Sequence, residues 1–212
     1  MIKERTIRVE VWSDVQCIWC YVGNARWKTA IAQFPGVVEV VHRSFELQPG
    51  FPVEFDAQTY LESERGMDAL EQERAFAEMK RITTAEGLAY EPTRIRPTNS
   101  HLALELMHYA ESVGLRAALA DRLYGAYFSE GRHLGALDSL LDLAADAGLD
   151  RDAGRHALEV GTFAAVVDRD AEAARALGAR GAPFAVIENR YAVPGALDVD
   201  SLRGILNRVA AA

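Results

Sequence analysis

The stretch VEVWSDVQCIWCYVGNARW, residues 9–27, holds Cys17 and Cys20, the only two cysteines in a chain of 212 residues. Just before them, TIRVEVW (6–12) sets Ile7, Val9 and Val11 against Arg8 and Glu10, the period-2 pattern of a strand. Beyond them, YVGNARWKTAIAQF (21–34) brings Tyr21, Trp27, Ile31 and Phe34 to one helical face, and Pro35-Gly36 stops the run. The helix is expected from about Cys20. VVEVVHRSFEL (37–47) is β-branched and reads as a second strand, ended by Gln48-Pro49-Gly50. Strand, helix and strand in this order predict a right-handed parallel βαβ unit.

Two thiols three positions apart at a helix start are placed for redox chemistry. The helix N-terminus offers unpaired N–H groups and partial positive charge, which favour thiolate over thiol. Cys17, at the exposed edge of the turn, is expected as the nucleophile. Cys20, one turn further on, lies within bonding reach and is expected as the more buried resolving thiol. Such a pair closes and opens a disulfide with little backbone movement. Zinc usually takes four ligands, and the chain has no second cysteine pair. Its five histidines, at 42, 101, 108, 133 and 156, show no short ligand spacing, so no metal is expected.

After Phe55 the chain turns rich in Ala, Leu, Glu and Arg with helical spacing. Helices are predicted over 57–65, 68–86, 100–113, 115–129, 138–147, 151–158 and 162–177, separated at EPTRIRPTN, EGRHLGA and AGLDRDAG. Asn99 or Ser100 is the expected N-cap of the helix carrying His101. Strand character returns at PFAVIE (183–188) and RYAVPG (190–195), with Glu188-Asn189 as a tight turn. A strand opening on Pro183 suits a strand start or a cis turn. A last amphipathic helix begins near Asp198, with Leu202, Ile205, Leu206 and Val209 inward. The ends therefore belong together: residues 1–56 and 178–212 form one α/β domain, and 57–177 are an all-helical insertion.

Half the residues are apolar, enough for a core without staples, and the formal charge is −8 with acids and bases mixed along the helices. That speaks against nucleic acid or an anionic membrane as partner. No run approaches the roughly 20 apolar residues of a membrane span, and MIKERTIRVEVW has no signal-peptide core. A soluble, cytoplasmic protein is expected.

The order strand, Cys-x-x-Cys, helix, strand, helical insertion, Pro-strand-strand-helix resembles the thioredoxin fold in its DsbA-like form. The match is to the FrnE-type proteins grouped with 2-hydroxychromene-2-carboxylate isomerases and kappa-class glutathione transferases. WSDVQCIWCYVGNARW, RSFELQPG, RPTNSHLALELMHYA, YFSEGRHLGALDSLLDLAADAGL and GARGAPFAVIENRYAVPGA carry the resemblance. It implies that Pro183 is the cis-proline opposite the cysteines and that the backbone of Ala182 pairs with an extended substrate segment. It also implies that Asn99 and His101 line the groove. Asp14 matches the family's WSD segment, as a loop cap for the helix start or as a proton-transfer group. Trp19, between the cysteines, is an apolar platform for substrate or a side chain packed on the insertion.

The chain also departs from the family. Ile18-Trp19 replaces the Pro-His of strongly oxidising DsbA, so no histidine in the motif donates to Cys17, and a less oxidising disulfide is expected. A relay of two internal disulfides is impossible with one pair. The isomerase and kappa-class relatives generally carry serine at the position of Cys17.

The leading expectation is a thiol-disulfide oxidoreductase using Cys17 and Cys20 with Pro183, acting on disulfide-containing or thiol proteins or on a small thiol. The alternative is a glutathione- or other thiol-dependent isomerase or transferase of a small hydrophobic molecule. There Asp200 and Ser201 would hold a tripeptide, unless Asp198 and Asp200 simply cap. No tightly bound cofactor is expected, glutathione or another low-molecular-weight thiol being the cosubstrate, and the chain is expected as a monomer or homodimer.

Overall fold

Strand β1 (Ile7–Ser13) lies inside a four-stranded sheet, next to β2 (Val38–Ser44) in parallel, with helix α1 (Ile18–Ala32) between them in sequence. A computed structural model of the chain describes residues 6–54 and 66–212. The remaining strands, β3 (Phe184–Ile187) and β4 (Tyr191–Pro194), give the order β2-β1-β3-β4, with β3 antiparallel to β1 and β4 antiparallel to β3. Pro194 has no N–H to give and sits on an edge strand, where that costs least.

The period-2 pattern does what it implies. Ile7, Val9 and Val11 face a core completed by Ala185, Ile187 and Val193, by Trp27 and Ala30 of α1 and Phe34 just beyond it, and by Leu202, Leu206 and Val209 of α8 (Val199–Ala210). Trp12 points to the opposite face and joins Phe45, Ala174, Ala179, Phe184 and Val186 in a second cluster. The sheet is covered on both sides, so its central strands tolerate few polar side chains. Three residues, Glu188 to Arg190, link Ile187 to its register partner Tyr191; Glu188 and Asn189 both take φ of 52°, and Arg190 N–H closes the turn on Ile187 O at 2.9 Å. The Glu188 carboxylate also accepts from the main-chain N–H of Arg8 at 2.7 Å, and its own N–H donates to Arg8 O at 2.9 Å.

Between β2 and β3 the described chain is helical: α2 (Ala69–Ala85), α3 (His101–Ser112), α4 (Arg116–Gly125), α5 (Leu137–Asp146), α6 (Arg151–Glu159) and α7 (Ala164–Ala176). Asp68 opens α2 with a capping box completed by Glu71. The helix expected over 57–65 lies outside the described residues. The helix expected over 115–129 is not uniform, because α4 passes at Ala126 into a π turn that runs to Glu130. Gly125 is a weak helix former, and Ser129 Oγ donates back to its carbonyl at 2.7 Å. The widened turn frees Phe128 O to accept Glu91 N–H at 2.7 Å. Gly131 then ends the segment at φ 73°, where a Cβ would lie 2.7 Å from Arg94 O.

Two units result: Met1–Leu47 with Asp168–Ala212, and Gln48–Val167. The sequence places the corresponding boundaries at 56/57, outside the described residues, and at 177/178. No described helix is long and apolar enough to cross a membrane.

Candidate active site

Strand β1 ends at Ser13, and the four residues that follow, Asp14 to Cys17, turn the chain into α1. The turn is closed by Cys17 N–H on Asp14 O at 3.2 Å. Cys17 is itself the N-cap, with extended backbone, its sulfur accepting from Cys20 N–H at 3.3 Å and its carbonyl from Tyr21 N–H at 3.0 Å. The helix therefore starts at Ile18 rather than near Cys20. A cysteine sulfur here takes the place of the usual Ser, Thr, Asp or Asn oxygen, which sequence patterns look for. One of the orphan amides of α1 is thus aimed at the Cys17 sulfur.

Cys17 is 6% exposed and Cys20 2%, and the two are not joined in a disulfide. Burial, foremost, together with a hydrogen bond to Cys17 and that sulfur's charge, pushes the Cys20 thiol well above its ordinary range. Asp14 acts on it twice: its main-chain N–H, 3.5 Å from Cys20 Sγ, pulls down, and its carboxylate charge pushes up. Cys17, expected at an exposed edge, is thus itself buried and only slightly more exposed than Cys20, the inner member of the pair, which holds its proton.

The second segment of the site comes from the start of β3. The Ala182–Pro183 peptide is cis, and the Cys17 thiol donates to Ala182 O at 3.4 Å. Pro183 is buried against α1: a Cβ placed on Gly23 would lie 3.4 Å from Pro183 Cγ and 3.5 Å from Ala196 Cβ. Arg26, on the same helix, donates to Ala196 O at 2.8 Å and ties down the chain after β4.

Cys17, Cys20, Asp14, Ala182 and Pro183 thus meet within one unit. Asp14 is buried, and its carboxylate accepts from Gln16 N–H at 3.1 Å and Leu47 N–H at 2.9 Å, so it ties the loop before α1 to the exit of β2. Trp19 stands 40% exposed on that first turn. Trp12 is core, stacked at a tilt on Phe184 with centroids 5.8 Å apart, and its Nε1–H donates to Asp170 O at 2.8 Å. Asn99 and His101 belong to the helical unit. There Asn99 Oδ1 accepts from His101 N–H at 2.8 Å, and His101 Nε2 lies 3.6 Å from the buried carboxylate of Glu105. Ser100 occupies the N-cap position without a side-chain cap bond. Asp198 caps α8 by accepting from both the N–H and the hydroxyl of Ser201 at 2.8 Å, and Asp200 is exposed and pairs with Arg203.

Sequence reasoning missed two participants. Leu47 contributes only a main-chain amide, and Gly23 signals nothing until Pro183 is seen beside it. Among the described residues no group of three or more His, Cys, Asp or Glu side chains could hold a metal ion.

The model of the DSBA-like thioredoxin domain family matches residues 8–207. The crystal structure of a probable DsbA oxidoreductase from Streptomyces coelicolor is 36% identical in sequence, with 95% of this chain and 89% of that chain covered and a TM-score of 0.90. The uncharacterized protein YwbO of Bacillus subtilis is 28% identical over 159 residues, 74% of each chain. A 2-hydroxychromene-2-carboxylate isomerase, at 16% identity, 95% coverage of both chains and a TM-score of 0.67, shares the fold.

Proposed function

Since the chain belongs to the DSBA-like thioredoxin domain family, we propose that it is a thiol-disulfide oxidoreductase working through Cys17 and Cys20. The observation that carries this reading is the asymmetry of the pair: Cys17 caps α1 through its sulfur, and Cys20 is buried behind it with its thiol held protonated. The Cys17 thiolate attacks a substrate disulfide R–S–S–R′, forming Cys17–S–S–R and expelling R′–S⁻, which takes up a proton. Cys20 then gives up its proton and attacks the Cys17 sulfur, closing the internal disulfide and releasing R–S⁻, which is protonated in turn. The protein dithiol is oxidised by two electrons and the substrate reduced by two; the reverse sequence oxidises a substrate dithiol.

The substrates are disulfide or thiol proteins, or a small thiol such as glutathione, which also resets the pair; no bound cofactor enters. The exposed ring of Trp19 offers an apolar platform beside the sulfurs. Pro183 and the Ala182 carbonyl form the opposite wall, and Asn99 and His101 line the groove as the family resemblance implies. The WSDVQCIWC and NSHLALELMHYA stretches fit the FrnE-type branch, and the working compartment is the cytoplasm.

Equilibration in graded mixtures of reduced and oxidised glutathione, followed by acid trapping and mass spectrometry, tests the reading. A single two-electron transition to the internal disulfide is expected. Persistent glutathione on Cys17 with no internal closure would instead point to a thiol-dependent enzyme acting on small molecules.

A further inference from the structure

Asp14 occupies a position in which one residue's backbone touches both cysteines. Its carbonyl accepts from Cys17 N–H at 3.2 Å, and its own N–H points at Cys20 Sγ at 3.5 Å. The side chain, 2% exposed, receives two amides, Gln16 N–H on Oδ1 at 3.1 Å and Leu47 N–H on Oδ2 at 2.9 Å. Gln16 belongs to the same loop, whereas Leu47 lies 33 residues on, past the end of β2. The carboxylate therefore fixes the residue to a second segment of the unit, and with it the direction in which its N–H points.

An N–H aimed at sulfur matters most when that sulfur is charged, because hydrogen bonds to ions are about twice as strong as neutral ones. Cys20 carries negative charge at two moments: when it attacks the Cys17 mixed disulfide, and when it is expelled as an incoming thiolate opens the internal disulfide. A donor fixed before the reaction stabilises developing charge without having to reorganise.

We propose that Asp14 is a positioning residue for the resolving step, its carboxylate held by the amides of Gln16 and Leu47 so that its own N–H supports the Cys20 sulfur as it becomes a thiolate. The proposal rests on the oxidoreductase reading and deepens it. It differs from a proton-transfer role in what the carboxylate is for: accepting two amides, rather than taking a proton.

The test separates the acceptor oxygens from the negative charge. D14N loses the charge and keeps one acceptor oxygen, whereas D14L and D14A lose the charge and both acceptors. Reduced wild-type protein and the variants are mixed with glutathione disulfide and quenched in acid at intervals. Mass spectrometry then gives the rate at which the Cys17–glutathione adduct forms and the rate at which it converts to the internal disulfide. The net change is protein dithiol plus glutathione disulfide to protein disulfide plus two glutathione.

Positioning predicts that D14L and D14A convert the adduct about tenfold more slowly than D14N, the order of effect expected when one charge-assisted hydrogen bond loses its aim. Adduct formation should stay within about threefold across the set, since that step does not use the Cys20 sulfur. Conversion rates of D14N and D14L within about twofold of each other would overturn the proposal and leave the charge as the only contribution. D14L fills the space of the lost side chain, so the comparison survives if D14A fails to fold. Failure of the wild-type protein itself to pass from adduct to internal disulfide would bring down the oxidoreductase reading first, and is seen without any variant.

Discussion

The thiol of Cys17 donates to the carbonyl oxygen of Ala182 across 3.4 Å, joining the first turn of α1 to a segment 165 residues later in the chain. A reacting sulfur held against a main-chain carbonyl has its approach side defined by backbone. Side-chain changes in the surrounding loop should therefore alter its reactivity less than changes to the cysteines themselves.

On this basis Cys20→Ser should leave Cys17 able to attack and unable to be released. Incubation with a disulfide substrate should give a stable adduct on Cys17, visible by peptide mass mapping, while Cys17→Ser reduces exchange to the uncatalysed background. Adducts accumulating on Cys20 of the wild-type protein would reverse the two roles, which the greater burial of Cys20 speaks against.

The raised Cys20 thiol gives the reduced protein a defined response to alkali. Between its unfolded and folded titration ranges the native state binds more protons than the unfolded state, so stability falls as pH rises. The contribution is fully present below the unfolded thiol value of about 8.5 and is lost progressively above it. Tyr90, whose phenol burial pushes up to about 12, adds a loss in the same direction at higher pH. Urea unfolding of the reduced wild type and of Cys20→Ser between pH 7 and about 10 should give the steeper decline for the wild type. Parallel profiles would mean that the Cys20 proton is not favoured by folding.

The strands and the cysteine pair were legible because their signals are local: alternation from Ile7 to Val11, β-branching from Val37 to Val41, and two thiols beside a helix start. What stayed hidden was carried by atoms every residue has or by contacts across long sequence separations. The first turn of α1 is capped by a sulfur, so helix-start rules place its beginning two residues too late. The π turn at Ala126–Glu130 continues the apolar spacing of α4, and just Gly125 and the Ser129 hydroxyl mark the change. The Asp14–Leu47 contact uses a main-chain amide, which no residue identity announces. The pairing of the cysteine turn with Ala182 was reachable only through family resemblance.

Trp12 tests how the second face of the sheet is fastened. Its indole N–H donates to Asp170 O, while the Asp170 carboxylate accepts Ser44 N–H at 3.0 Å and faces Arg43 at 3.4 Å. Trp12→Phe keeps the ring stack on Phe184 but loses the hydrogen bond and some volume, and should cost about 1–2 kcal/mol. Trp12→Ala should cost about 3–5 kcal/mol, because the buried site cannot fully collapse. Chemical denaturation of the three proteins under reducing conditions measures both; equal losses would mean that the ring's packing contributes little.

The β3–β4 turn offers a substitution expected to stabilise. Glu188 and Asn189 both sit at φ 52°, a region that costs a side-chain-bearing residue more than glycine. Among the described residues the Asn189 side chain bonds none of the sheet, whereas the Glu188 carboxylate accepts Arg8 N–H at 2.7 Å. Asn189→Gly completes a favoured left-handed turn pair and should be neutral to stabilising, by up to about 0.5 kcal/mol. Glu188→Gly relieves the same backbone cost but leaves the Arg8 amide without its carboxylate, a loss of about 1–2 kcal/mol that outweighs the gain. The two variants should therefore move the melting temperature in opposite directions; a rise in both would mean that the Glu188 carboxylate does not hold β1.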